Sequence, residues 1–146
     1  MAEPRSDGWV GEADGGAAVA TRIGRALVVT LPRELSDATL ASLRGGMLER
    51  LRASRARAIV FEASGLDIID AHEFADLSAV ARTAAWLGVR PLLVGLSAGI
   101  VGYLVNAGVD TSAFEAHGTL EDALATLSPA PADDDAGAPP GDEATP

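Results

Sequence analysis

Between Ala17 and Leu127 the chain alternates short, wholly apolar runs with longer segments whose apolar residues recur every three or four positions. Few architectures accept that pattern. Ala58-Ile59-Val60-Phe61 and Pro91-Leu92-Leu93-Val94-Gly95-Leu96 carry no polar side chain on either face, as expected of parallel strands covered on both sides. A helical segment with its own start signal follows each. Asp70 precedes a segment with Phe74, Leu77, Val80 or Ala81, and Ala84 on one face, and Leu87-Gly88 closes it. Ser97 precedes Ile100, Val101, Leu104 and Val105, all expected inward, and Ala107-Gly108 ends that segment.

The flanks extend the pattern. Ala17-Val19-Thr21-Ile23 and Ala26 to Leu31 alternate around Gly24-Arg25, which predicts a hairpin. Ser36 or Asp37 opens a helix with Leu40, Leu43, Met47 and Leu51 on one face, and Phe114-Glu115-Ala116 reads as a short strand before a last helix, Leu120 to Leu127. The expected fold is a single α/β domain with a mixed sheet of about four or five strands and about four helices, packed mainly on one face by right-handed crossovers.

Charge separates this domain from its flanks. Residues 1–16 hold Glu3, Asp7, Glu12 and Asp14 against Arg5, and residues 129–146 hold Asp133, Asp134, Asp135, Asp142 and Glu143 with no base. The expected organisation is therefore a flexible acidic segment over 1–16, a domain over 17–128 and a disordered acidic Pro/Ala-rich tail over 129–146. A net charge of −10 disfavours nucleic acid and anionic lipid as partners. Without cysteine, no disulfide, thiolate metal site or thiol nucleophile can form. The start of the chain lacks the apolar core of a signal peptide, and the uncharged stretch from Pro91 to Val109 is broken by glycines and Pro91. The cytoplasm is the expected location, with no membrane insertion and no cofactor.

Three local patterns invite chemistry. Gly95-Leu96-Ser97-Ala98-Gly99 matches G-x-S-x-G between a strand and a helix, and Asp110 and His117 follow in the order of a hydrolase triad. Only one short strand and one helix remain after the helix that Ser97 opens, however, and no loop supplies a second oxyanion donor. The favoured reading is a tight joint with Ser97 as the helix cap, and a serine hydrolase is a remote alternative. Asp70, His72, Glu73 and Asp76 cluster at one helix start; His72 and Asp76 share a face, and the group reads as an acid-rich first turn rather than a metal site. Arg44, Arg50, Arg52, Arg55 and Arg57 read as a solvated helix face and turn.

The run Val60-Phe61-Glu62-Ala63-Ser64-Gly65-Leu66-Asp67-Ile68-Ile69-Asp70-Ala71 resembles the centre of the STAS domain, the domain of bacterial anti-sigma-factor antagonists and stressosome scaffold proteins. Leu92 to Ile100 and Leu104 to Val109 are similar to its next strand and helix, especially in the stressosome branch. The resemblance spans nearly all of Ala17 to Leu127. It implies a non-enzymatic partner-switching module in stress signalling, in which a Ser or Thr opening the second helix is phosphorylated and the added charge redirects binding.

The chain departs from that pattern at the switch itself. Ala71 occupies the phosphosite position, and Tyr103 occupies the second site of the stressosome branch. Ser64 and Ser78 are the displaced hydroxyls. The resemblance implies a partner surface of Ser64, Asp67, Asp70, Ala71, His72 and Glu73. The implied partners are an anti-sigma factor, a switch-type serine/threonine kinase, or other STAS proteins including copies of this chain. The alternative role is an accessory subunit of a membrane transporter.

Overall fold

The structure, a computed structural model, describes residues 18–127 and, through the backbone, residues 6–9. Six strands form one sheet in chain order: β1 (Ser6–Trp9), β2 (Ala18–Ile23), β3 (Ala26–Thr30), β4 (Ala58–Glu62), β5 (Arg90–Val94) and β6 (Glu115–His117). The first three are antiparallel, and β3 to β6 run parallel. The expected mixed α/β sheet is present, with one strand more than the four or five anticipated. The extra strand, β1, falls inside the segment expected to be flexible and pairs Trp9 with Ala18 and Ser6 with Thr21. Its sequence has no period-two apolar pattern, so its ladder partner, not its own composition, places it. The expectations for the remainder of 1–16 and for 129–146 lie outside the described residues.

Four helices join the strands: α1 (Asp37–Ser54), α2 (Ala71–Trp86), α3 (Ala98–Asn106) and α4 (Leu120–Ala125). Each begins where a side chain satisfies an orphan amide. Ser36 Oγ accepts from the Thr39 amide, Asp70 from Glu73, Ser97 from Ile100 and Thr119 from Asp122. The turn of the β2–β3 hairpin falls at Gly24, with φ +59°.

Strand alternation divides the core in two. Leu27, Val29, Ile59, Phe61 and Leu93 face α1, α2 and α3, meeting Leu40, Leu43, Met47, Phe74, Leu77 and Leu104. All three phenylalanines join here: the Phe114 ring lies edge-on to Phe61 at 5.7 Å and tilted to Phe74 at 5.6 Å. These contacts seat α2 against the sheet. Ala26, Val28, Ala58, Val60, Leu92 and Val94 face the other way, onto Ala123 and the partly buried Leu120, Leu124 and Leu127 of the α4 segment. Three helices on one face and one on the other match the expected distribution.

The inward face of α3 is narrower than expected. Ile100 and Leu104 are buried, but Val101 and Val105 are exposed, Val105 by 69%. Nearly every position of this helix is apolar, so its sequence does not single out one face.

Candidate functional site

The loops that follow β3, β4 and β5 meet at the carboxyl end of the parallel strands. The β4 to α2 connection, residues 63–70, is tied down along its length. The Ala63 amide donates to the Val94 carbonyl at 2.8 Å, extending the ladder by one step, and the Leu66 amide closes a turn on Ala63 O at 3.0 Å. Inside that turn Ser64 Oγ donates to Glu62 Oε1 at 3.0 Å. Leu66 and Ile69 are buried anchors, whereas Ile68 between them is 60% exposed. The Asp67 amide donates to Arg33 O, and Arg33 grips the Asp67 carboxylate at 2.8 Å.

Gly95 sets how closely β5 approaches this turn. Its φ is +82°, and a Cβ there would lie 3.0 Å from both Ser64 N and Glu62 Oε2. Glycine is required twice over, by backbone conformation and by space.

Helix α2 starts on a reciprocal capping box. The Glu73 amide donates to Asp70 Oδ1 at 2.7 Å, and the Asp70 amide donates to Glu73 Oε1 at 3.0 Å. Ala71 is the first helical residue and is exposed. His72 turns along the helix to Asp76, with Nε2 to Oδ2 at 3.5 Å. Ser64, Asp67, Asp70, Ala71, His72 and Glu73 therefore all belong to one rigid loop and first turn. Tyr103 does not join them; it stands on α3, 44% exposed. Ser78 lies on the inner face of α2, 3% exposed, and its hydroxyl has no hydrogen-bond partner among the described residues. A modifying enzyme could reach it only by lifting α2.

The charge at this end is lopsided. Glu62 ends β4, and Glu34, Asp37, Asp67, Asp70, Glu73 and Asp76 lie in the loops and opening helical turns that follow β3 and β4, where Arg33 is the arginine. Linear sequence spreads these acids over 43 positions and conceals their convergence. Arg33 was invisible for the same reason; the joint at Gly95 was read as a tight one, but the Ser64 turn that it approaches is remote in sequence.

The hydrolase constellation does not assemble. Ser97 Oγ caps α3, accepting from Ile100 N at 3.2 Å. Arg82 and the Ser112 amide hold Asp110, and its carboxyl lies below the ordinary range chiefly through the hydrogen bonds from Ser112. His117 lies 3.2 Å from Glu115. Arg90 donates to both oxygens of Glu115, at 2.8 and 2.7 Å, and this contact is the main reason the Glu115 carboxyl also titrates low. Among the described residues no group of three or more His, Asp or Glu is placed to hold a metal ion, and no helix is long and apolar enough to cross a membrane.

No protein-family model matches the chain, and no curated protein matches its sequence. Solved structures do match its fold. A chain of the stressosome, a signal integration and transduction hub, superposes with a TM-score of 0.63 at 21% identity, over 74% of this chain and 94% of its own. The phosphorylated form of the Bacillus cell fate determinant SpoIIAA matches with a TM-score of 0.58 at 16% identity, over 77% of this chain and all of its own. A portion of the murine Slc26a9 anion transporter also matches, with a TM-score of 0.57 at 17% identity, over 71% of this chain but 18% of the transporter.

Proposed function

We propose that this chain, whose fold is that of the STAS domain, is a non-enzymatic protein-interaction module of a bacterial partner-switching pathway, acting as an anti-sigma-factor antagonist or a stressosome-type scaffold. It stays in its binding-competent form because its switch position cannot accept a phosphate.

One observation supports the reading: α2 opens on a complete capping box at an exposed turn, and its first helical residue is Ala71. A methyl group there lets a partner approach α2 closely. A phosphate would add nearly two negative charges at a point already flanked by Asp70 and Glu73. With alanine in place, the partner is held by fixed surface chemistry and released by abundance or competition.

The test uses affinity capture of the tagged full chain from its host, with partners identified by mass spectrometry and their affinities then measured for two variants. Ala71→Asp is expected to weaken an anti-sigma factor or switch kinase by more than about tenfold, which corresponds to about 1.4 kcal/mol. Ala71→Ser is expected to bind normally until the kinase and ATP are added. Equal affinity for wild type and Ala71→Asp removes the start of α2 from the interface. The shared fold of the Slc26a9 segment favours a second reading, a transporter accessory subunit; capture of a permease or transport ATPase with membranes would replace the first reading with that one.

A further inference from the structure

The opposite end of the sheet is as basic as the site is acidic. Arg25 and Arg57 immediately precede β3 and β4, and Arg90 is the first residue of β5. The Arg57 amide donates to Arg25 O at 2.8 Å, and the Arg90 amide donates to Arg57 O at 3.0 Å. Arg25 and Arg57 are lateral neighbours at the strand spacing of about 4.8 Å, while Arg90, in register with Ala58, stands one residue further along and turns to the α4 face. Arg55, the left-handed C-cap of α1 with φ +55°, and Arg52 lie beside them.

Two of the arginines at this end are engaged. Arg90 holds Glu115, and Arg22 donates to the carbonyls of Gly24 and Ser54. Arg25, Arg52, Arg55 and Arg57 are exposed, and no described residue pairs with their guanidinium groups. They line two open grooves of ≈ 430 and ≈ 400 Å³ that share Arg57 and Gly88.

The described chain ends on this surface. Arg90 donates to Thr126 O at 3.5 Å and to Thr126 Oγ1 at 3.3 Å, and Leu127 lines the first groove. Asp133, Asp134 and Asp135 follow within eight residues, and Asp142 and Glu143 come after them, with no base in between. Six residues reach up to about 20 Å, while Arg25 lies two strand spacings, about 10 Å, from Arg90.

We infer that the acidic segment 129–146 of this same chain docks across the base of the sheet, with Asp133–Asp135 over Arg25 and Arg57 and the later acids over Arg52 and Arg55. A tethered acidic segment acts at high effective concentration. A free polyanion must instead approach a chain whose net charge is −10.

The chain has no cysteine, so Ala138→Cys in the full-length protein takes a single nitroxide label. At low salt the amide resonances of Arg25, Arg55, Arg57 and Gly88 are expected to lose intensity relative to the reduced label, while those of Ser64 and Ala71 keep theirs. The loss is expected to disappear in about 0.5 M salt, where the screening length falls to a few ångströms. It is also expected to disappear on combining Asp133→Asn, Asp134→Asn and Asp135→Asn, and on combining Arg55→Ser with Arg57→Ser. Full intensity at low salt overturns the proposal, as does a loss that survives both sets of substitutions. Inorganic polyphosphate shifting the Arg25 and Arg57 resonances without altering the label's effect would make an external polyanion the occupant and equally overturn it.

Discussion

Replacing Gly95 with alanine tests whether the spacing between β5 and the Ser64 turn is a steric device. Two costs are separable. A left-handed φ costs an L-residue roughly 1–2 kcal/mol, partly offset by about 0.4–1 kcal/mol from the stiffer unfolded chain. Gly88→Ala isolates that cost, because Gly88 has the same φ of +82° and a Cβ added there would meet nothing within 4 Å. At Gly95 the new methyl would lie 3.0 Å from the Ser64 backbone nitrogen and 3.2 Å from Ser64 Cβ, inside the optimum of about 3.5–4.0 Å for carbon contacts. Ser64 cannot yield freely, since Ala63 is bonded to Val94 and Leu66 to Ala63. Overpacking of this kind adds about 1–3 kcal/mol. Urea denaturation is therefore expected to show Gly88→Ala losing about 1 kcal/mol and Gly95→Ala about 2–4 kcal/mol. The amide resonances of Ser64 and Gly65 are expected to shift only in the second variant. If the two variants agree within about 0.5 kcal/mol, the limit for independent effects, Gly95 is only a backbone requirement and steric contact with the Ser64 turn plays no part.

Two other substitutions probe polar groups in the core and at the sheet edge. Ser78→Ala removes an unpaired buried hydroxyl from α2 and is expected to stabilise the protein by about 1 kcal/mol, with better helix propensity contributing part of it; measurable destabilisation in urea would mean that the hydroxyl has a partner. Arg90→Ala is expected to return the Glu115 carboxyl toward its ordinary value of 4.5, because the Arg90 hydrogen bond is the main cause of its depression. A depressed folded pKa supplies stability above the unfolded value and loses it as pH falls through the folded one. The advantage of the wild type over Arg90→Ala should therefore shrink as pH falls below 4.5, and NMR titration of the Glu115 side chain follows the group itself; identical titrations in both proteins would contradict this.

Much of the fold was legible because local signals agreed with one another. Every helix cap read from the sequence is made by a residue named for it, and Leu40, Leu43, Met47, Phe74 and Leu77 are buried as their spacing requires. What escaped depended on partners distant in the chain. Strand β1 exists through pairing with β2, and α3 hides which of its apolar positions turn inward. The surface around Ala71 could be named from its resemblance. Its acidity, the Arg33 clamp and the identity of the loop that Gly95 packs against could not, because each joins loops that only the sheet brings together. The same holds for the base: Arg25 and Arg57 are 32 positions apart, and only the parallel register of β3 and β4 aligns them and brings Arg90 to the same end.

Because spatial strand order equals chain order, the sheet can assemble during biosynthesis by adding each unit beside the last, without threading or rearrangement. Its second face is less fortunate. Val28, Val60, Leu92 and Val94 receive their cover from α4, six residues at the far end of the domain, and too short to be helical before it docks. Roughly thirty residues separate Val94 from the end of α4, so at about 5–20 residues per second this apolar face stays bare for about 2–6 s on every ribosome. A chain halted before Leu120 would keep it bare permanently, leaving the domain in its most aggregation-prone form just before its last helix is added.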